Sequence, residues 1–200
     1  MRTLTTIPLS DIRAARVRIA DSAIRTPLVR LNVNDAPAEI YLKLENLQPI
    51  GSFKIRGASN AMALAGKDAL AEGVYTASAG NMAQGVAWNA RRLGVPCTVV
   101  VPDTAPETKL AAIERLGGRV VKVPFETWWQ VIVEHRYPGM PGVFVHPVAD
   151  PAVIAGNGTI GLEILEDLPD VDAVLIPYGG GGLSAGIASA IRALKPETKV

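Results

Sequence analysis

The sequence predicts an α/β fold in which a parallel β-sheet carries helices on its two faces. Two observations lead there. From about residue 50, short β-branched runs alternate with stretches whose apolar residues recur at helical spacing. Strand, helix, strand in that order and at that spacing is the βαβ unit, whose crossover sets consecutive strands parallel.

The elements follow in order. Gly73-Val74-Tyr75-Thr76 reads as a strand, and Ala83, Val86, Ala87, Ala90 and Leu93 form one apolar helical stripe behind it. Cys97 to Val101 is a short β-branched run. Thr104, Pro106 and Glu107 have the look of a capping box ahead of Leu110, Ile113 and Leu116, and Gly117-Gly118 stops that helix. Arg119 to Val123 and Val143 to Val145 read as strands with a poorly patterned segment between them. Asp150 is placed to cap a helix carrying Ile160, Ile164 and Leu168. A last strand, Ala173 to Tyr178, enters Gly179-Gly180-Gly181-Gly182, and Leu183, Ile187, Ile191 and Leu194 continue as a helix. There is no low-complexity tract, and no repeat beyond the βα alternation. Lys199-Val200 stands where a further strand should begin, so the sequence is expected to be part of a longer protein.

Composition narrows the function classes. The apolar fraction is 48% and the charged fraction 20%, ordinary values for a chain that buries a core. The net charge is +1 with both signs scattered, and no basic cluster stands ready to neutralise phosphate backbones, so nucleic acid is not expected as a partner. No apolar stretch is long enough for a bilayer, and the mix of Asp11, Arg13, Arg16, Arg18 and Asp21 does not read as a signal peptide, so no membrane partner is expected. Cys97 is the single cysteine and sits in an apolar run. It reads as a buried structural thiol and permits no internal disulfide, which fits a cytoplasmic location. His135 and His146 lie far apart in the chain without metal-ligand spacing; both read as structural, and no metal ligand is named.

Three segments carry chemistry. The first runs from Lys43-Leu44-Glu45-Asn46-Leu47-Gln48-Pro49-Ile50 into Gly51-Ser52-Phe53-Lys54-Ile55-Arg56-Gly57. Lys54 falls in the first turn of a helix, where the positive end of the dipole disfavours a second positive charge. That field lowers the pKa and favours the neutral amine, the form that condenses with an aldehyde. From the residues alone a solvated surface lysine remains the more economical reading. The second segment, Thr76-Ala77-Ser78-Ala79-Gly80-Asn81-Met82-Ala83-Gln84-Gly85, is a strand passing through a small-residue turn into a helix. Its free amides and the Ser78 hydroxyl suit a carboxylate. An ordinary turn with Asn81 as helix cap suits the residues equally well. The third is the tetraglycine loop, 179–182, whose backbone can approach an anion closely while the following helix points its amides at it. Gly180, Gly182 and Ala185 also satisfy a dinucleotide fingerprint, weakly, because the loop comes late in the sheet and the acidic ribose ligand would fall at the chain's end. No Gly-Lys-Ser/Thr follows, so it is not a P-loop.

Taken together and in this order, the three segments resemble the fold-type-II pyridoxal-phosphate enzymes, and within them the threonine/serine dehydratase and serine racemase family. The similarity runs from Arg25-Thr26-Pro27-Leu28 to Val200, and the Leu-Glu-Asn-Leu-Gln lead-in to Lys54 is its most specific part. The resemblance implies that Lys54 carries pyridoxal 5'-phosphate through an imine and that Phe53 lies beside the cofactor. It implies that Asn81 hydrogen-bonds the phenolic oxygen of the ring, and that the amides of Gly179, Gly180, Gly181, Gly182 and Leu183 hold the phosphate. Ser78, Ala79, Gly80 and Asn81 would embrace the substrate carboxylate. The implied reaction is dehydration of a β-hydroxy amino acid such as L-threonine or L-serine. Substrate amine displaces Lys54, which takes the Cα proton while the ring draws the electrons. The hydroxyl then leaves, protonated by the cofactor phosphate, and hydrolysis gives a 2-keto acid and ammonia.

The resemblance further implies two lobes with the cofactor in the cleft between them: a small one, 67–146, inserted into a large one, 1–66 and 147–200. A homo-oligomer, a dimer, is expected. Family members often bind a divalent cation after the tetraglycine helix, and the group meeting the pyridine nitrogen normally comes from the C-terminal part; both positions lie beyond Val200. Two departures stand out. Racemases of the family have serine where this chain has Ala79, and alanine carries no proton, so dehydration with little racemisation is expected. Met82 replaces the usual histidine and suggests a less polar or larger substrate. Trp88, Trp128 and Trp129 are unusual but read as core residues. Trp128-Trp129 and Val148 to Gly156 resemble the hydroxyectoine-utilisation dehydratase branch. Other readings remain open: a different β-elimination or β-replacement activity such as a cysteine-synthase-like reaction, a serine racemase, or a binding protein keeping the fold without catalysis.

Overall fold

A computed structural model describes residues 6–200; of the expected large lobe, residues 1–5 lie outside the described range. The chain begins with α1 (Leu9–Arg18) and an antiparallel pair, β1 (Leu28–Arg30) and β2 (Tyr41–Lys43), with Val29 opposite Leu42. Then comes α2 (Lys54–Leu70), interrupted at Gly66, whose φ of 79° and ψ of 163° are not helical. The βα alternation continues through β3 (Val74–Ala77), α3 (Asn81–Leu93), β4 (Cys97–Pro102), α4 (Glu107–Arg115), β5 (Arg119–Val123), α5 (Phe125–Glu134) and β6 (Val143–Phe144). Last are α6 (Pro151–Asp167) and α7 (Gly182–Leu194).

Strands β5, β4, β3 and β6 form, in that order, one parallel sheet. Its two faces follow from the period of two along β4. Val99 and Val101 join a core with Met62 of α2, Val86 of α3 and Ile113 of α4, while Val100 between them faces Val131 of α5. Both faces being covered, β4 is apolar but for Thr98 near its start, the mark of a parallel sheet.

The helix that brings the site together is α6. Every residue from Val153 to Ile164 is buried, Asn157, Thr159 and Glu163 among them, as befits a mostly apolar helix covered on all sides. Glycines let its neighbours approach: a Cβ on Gly57 of α2 would lie 2.7 Å from Val153 Cγ1, and one on Gly158 would lie 2.9 Å from the Gly186 carbonyl of α7. Both neighbours therefore dock on one spine, which fixes the start of α2 relative to the start of α7.

Most expected elements form, with the Asp150 carboxylate capping α6 by accepting from the Ala152 N–H at 2.8 Å. Four expectations need correcting. The capping box does not form. Helix α4 starts only after Pro106, because the residue ahead of a proline is kept out of helical conformation, and Thr104 is left outside. The unpatterned stretch between the strands at 119–123 and 143–145 contains α5. Phe125, Trp128, Trp129 and Ile132 do stand at helical spacing there, but the stripe faces the core only in part: Val131 is buried while Phe125, Trp129 and Val133 are exposed. Trp129 is accordingly no core residue, whereas Trp88 and Trp128 pack against apolar clusters. The expected strand from Ala173 to Tyr178 reduces to a single parallel bridge, Ala173 with Lys199. A ladder needs a partner along its length. Here only Val174 and Ile176 pack inward, towards Ile164 and Ile187, leaving Leu175 97% exposed.

Candidate active site

Lys54 opens α2. The chain reaches it through Gly51, at φ 70°, and Ser52, whose hydroxyl accepts the Lys54 backbone N–H at 3.3 Å. The side chain is half-buried, and burial lowers its pKa. The direction is the one expected from the helix start, but the cause is desolvation. Lys54 Nζ donates to the Pro147 carbonyl at 2.7 Å and lies 5.5 Å from the centre of the Phe53 ring. Phe53 in turn packs on the cluster that includes Leu183.

Two residues on, Arg56 locks the helix in place. It is 1% exposed and holds Glu45 through Nε at 2.9 Å and Nη2 at 2.8 Å. The same guanidinium reaches Glu163 at 2.6 and 2.9 Å, with Thr159 at 3.0 Å. Burial works against its charge, but the hydrogen bonds to Glu45 and Glu163 outweigh that and raise its pKa. Lys43 adds a 2.6 Å contact to Glu163. Two cations and two carboxylates thus neutralise each other in the interior, which is what lets them be buried. Lys43, Glu45 and Arg56 belong to the lysine motif, yet the sequence gives no sign of the network because Glu163 is over a hundred residues away.

The tetraglycine loop forms the start of α7. Gly181 takes φ 89°, a conformation that favours glycine. Gly180 and Gly182 are required by packing instead: a Cβ on Gly180 would lie 2.6 Å from Val148 Cγ2, and one on Gly182 would lie 2.7 Å from the Val148 carbonyl. No side chain caps α7 among the described residues, so its first amides remain available to an anion. Asn157 of α6 donates to the Gly182 carbonyl at 3.2 Å and ties the loop to the spine.

The Ser78–Asn81 turn leads from β3 into α3. Ser78 Oγ accepts the Gly80 N–H at 3.2 Å, Gly80 is the cap residue, and no side chain caps this helix either among the described residues. Asn81 is the first helical residue and exposed, so it is not the cap. Gly85, one turn on, sits against the Lys54 carbonyl, 3.4 Å from where its Cβ would be. Ala79 is half-buried against the core. Met82 is corrected: at 1% exposure its thioether packs with Ala83 and Val86, so it faces the core and does not shape a substrate pocket.

His135 and His146, far apart in the chain, are brought together by the fold. Their rings stack at 4.3 Å between centres, because α5 ends at His135 in a left-handed conformation and folds back on β6. His146 is buried, and its Nδ1 accepts from the amides of Val148 at 3.0 Å and Ala149 at 2.7 Å. The turn 146–149 therefore touches both Lys54, through Pro147, and the glycine loop, through Val148. It was missed because the sequence offers only a lone histidine before a proline. Cys97 is buried as expected, and burial pushes its thiol up to about 12.

Among the described residues no cluster of His, Cys, Asp or Glu could hold a metal, and no helix is long and apolar enough to cross a membrane. An amine of lowered pKa beside an anion cradle is suited to a phosphorylated aldehyde, and the comparisons agree. The chain is 46% identical over 199 residues to L-threonine ammonia-lyase of Thermotoga maritima, covering 97% of this chain and 49% of that protein. It is 43% identical over 206 residues to the catabolic L-threonine dehydratase of Staphylococcus aureus strain N315, covering all of this chain and 59% of that one. The chain thus spans about half to three-fifths of the length of these curated relatives. The solved structure of maize serine racemase superposes with a TM-score of 0.90 at 34% identity, over 97% of this chain and 60% of that one. Residues 19–200 match the model of the pyridoxal-phosphate dependent enzymes, and with Lys54, the glycine loop and their meeting at one turn, the chain belongs to that family.

Proposed function

We propose that the protein is a pyridoxal-phosphate-dependent dehydratase that converts a β-hydroxy amino acid, L-threonine or L-serine, to a 2-keto acid and ammonia. The observation that carries the reading is the convergence of the Lys54 amine and the glycine loop on the turn 146–149. The residues present fit the cofactor. Val148 leaves no room for a side chain at Gly180 or Gly182, so the loop offers bare backbone amides to a phosphate, with a desolvated amine nearby. Pyridoxal phosphate supplies an aldehyde for that amine and a ring that withdraws electrons from the substrate Cα.

Lys54 would hold the cofactor and, once displaced by substrate, take the Cα proton, a role that a lowered pKa favours. Phe53, Asn81 and the amides from Gly179 to Leu183 would fix the cofactor, and Ser78, Ala79, Gly80 and Asn81 the substrate carboxylate. The cleft lies, on this reading, between a small lobe, 67–146, and a large one, 1–66 and 147–200. The names of the relatives support threonine over serine as substrate. A cytoplasmic homo-oligomer, a dimer, is the expected setting; the lone buried thiol is in keeping with a reducing compartment.

The similarity to maize serine racemase favours a second reading, racemisation. Ala79 speaks against it, because its methyl group cannot exchange a proton on the second face of Cα. The full-length protein, assayed with L-threonine and L-serine, is expected to release keto acid and ammonia with no measurable D-serine. D-serine formation at a rate comparable to keto-acid release would replace dehydratase by racemase, and no release from any β-hydroxy amino acid would remove the proposal.

A further inference from the structure

We propose that His146 is a positioning residue that sets the Lys54 amine and the glycine loop relative to each other, acting through the turn Pro147-Val148-Ala149. The inference rests on reading Lys54 as the cofactor lysine. One nitrogen of one imidazole holds two consecutive amides of the turn, Val148 at 3.0 Å and Ala149 at 2.7 Å. Those two amides fix the directions of their neighbours. The Pro147 carbonyl accepts Lys54 Nζ at 2.7 Å, and the Val148 side chain and carbonyl form the wall against which Gly180 and Gly182 pack. The amine and the anion cradle are thus referred to a single short segment, and His146 is the side chain that shapes it.

The chemistry of the site requires a neutral ring. Nδ1 can accept only while it carries no proton. Burial pushes the His146 pKa down to about 4, with His135, stacked 4.3 Å away, lowering it further, the Ile132 backbone raising it, and Lys54 lowering it. His135 and Lys54 are the titratable groups that face the ring, from the end of α5 and the start of α2 respectively. A folded-state pKa below the ordinary value of 6.5 means that the contribution of this ring is complete above pH 6.5 and is lost as pH falls towards 4.

The test uses the full-length protein and two substitutions. His146→Asn places an amide oxygen where Nδ1 accepts; His146→Leu fills the space without an acceptor. Pyridoxal phosphate is titrated into each apoprotein and followed by its visible absorbance. His146→Leu is expected to bind about tenfold more weakly, the size set by two lost hydrogen bonds, and His146→Asn to stay within about twofold. Binding to the unsubstituted protein is expected to weaken between pH 6.5 and 4, with that component absent in His146→Asn. Equal affinity in His146→Leu and the unsubstituted protein would overturn the proposal. If His146→Leu does not fold, the pH comparison decides, and an identical acid profile in His146→Asn overturns it. Failure of the unsubstituted protein to bind the cofactor would instead remove the functional reading beneath it.

Discussion

Replacing Arg56 by methionine is expected to remove about 3–5 kcal/mol of folding stability, the range for stripping one partner from a buried ion pair. The guanidinium is 1% exposed and bridges Glu45 to Glu163, with Lys43 on the far side of Glu163. Without it, Glu45 and Glu163 face a single ammonium, and Glu163, buried on α6, cannot reach water without opening the contact of α2 with α6. Arg56→Lys is not expected to rescue, since an ammonium cannot reproduce the planar fork that holds both carboxylates. Arg25 is the internal control. It pairs with Glu166 and Asp167 but its side chain is 48% exposed, so Arg25→Met is expected to change stability by less than about 1 kcal/mol. Urea unfolding midpoints of the two variants measure the difference; equal midpoints would show that the network does not anchor the lysine helix.

Gly182→Ala is expected to weaken pyridoxal-phosphate binding by roughly 5- to 150-fold, the equivalent of about 1–3 kcal/mol of overpacking. The added methyl would stand 2.7 Å from the Val148 carbonyl, which is backbone and cannot swing aside. It must therefore push the turn 146–149 and the loop apart, and with the turn goes the Pro147 carbonyl that holds Lys54. Gly179→Ala is the matched control. Nothing lies within 4 Å of its Cβ position, and the amide is kept, so affinity is expected to be unchanged. Cofactor titration distinguishes the four glycines by contact rather than by their shared place in the motif.

What the sequence made legible was the part set by local pattern. The strands at β3, β4 and β5 could be read because β-branched runs with glycine punctuation need no tertiary information, and Asp150 could be read as a cap because its partner is two residues away. Helix α5 did carry a local signal, Phe125, Trp128, Trp129 and Ile132 at helical spacing; what the sequence does not show is that Phe125 and Trp129 of that stripe stay exposed. The strand expected over 173–178 failed because a ladder depends on a neighbour, and here the pairing is a single bridge. At the site, the lysine, the small-residue turn and the glycine loop stood out by type and order. Arg56 with Glu163, and His146 with Lys54, did not: each pair joins residues ninety or more positions apart, and no local periodicity encodes such a meeting. Met82 shows the opposite failure, since its neighbours in the motif suggested a pocket residue while its own helical phase turns it into the core.

The most direct measurement is to reduce the full-length, cofactor-loaded protein with borohydride and locate the pyridoxyl group by peptide mapping. Modification confined to Lys54, with loss of the visible band in Lys54→Ala, is the expected result. A pyridoxyl group on Lys43 or Lys67, or on no lysine at all, would contradict the assignment of this amine as the cofactor's anchor.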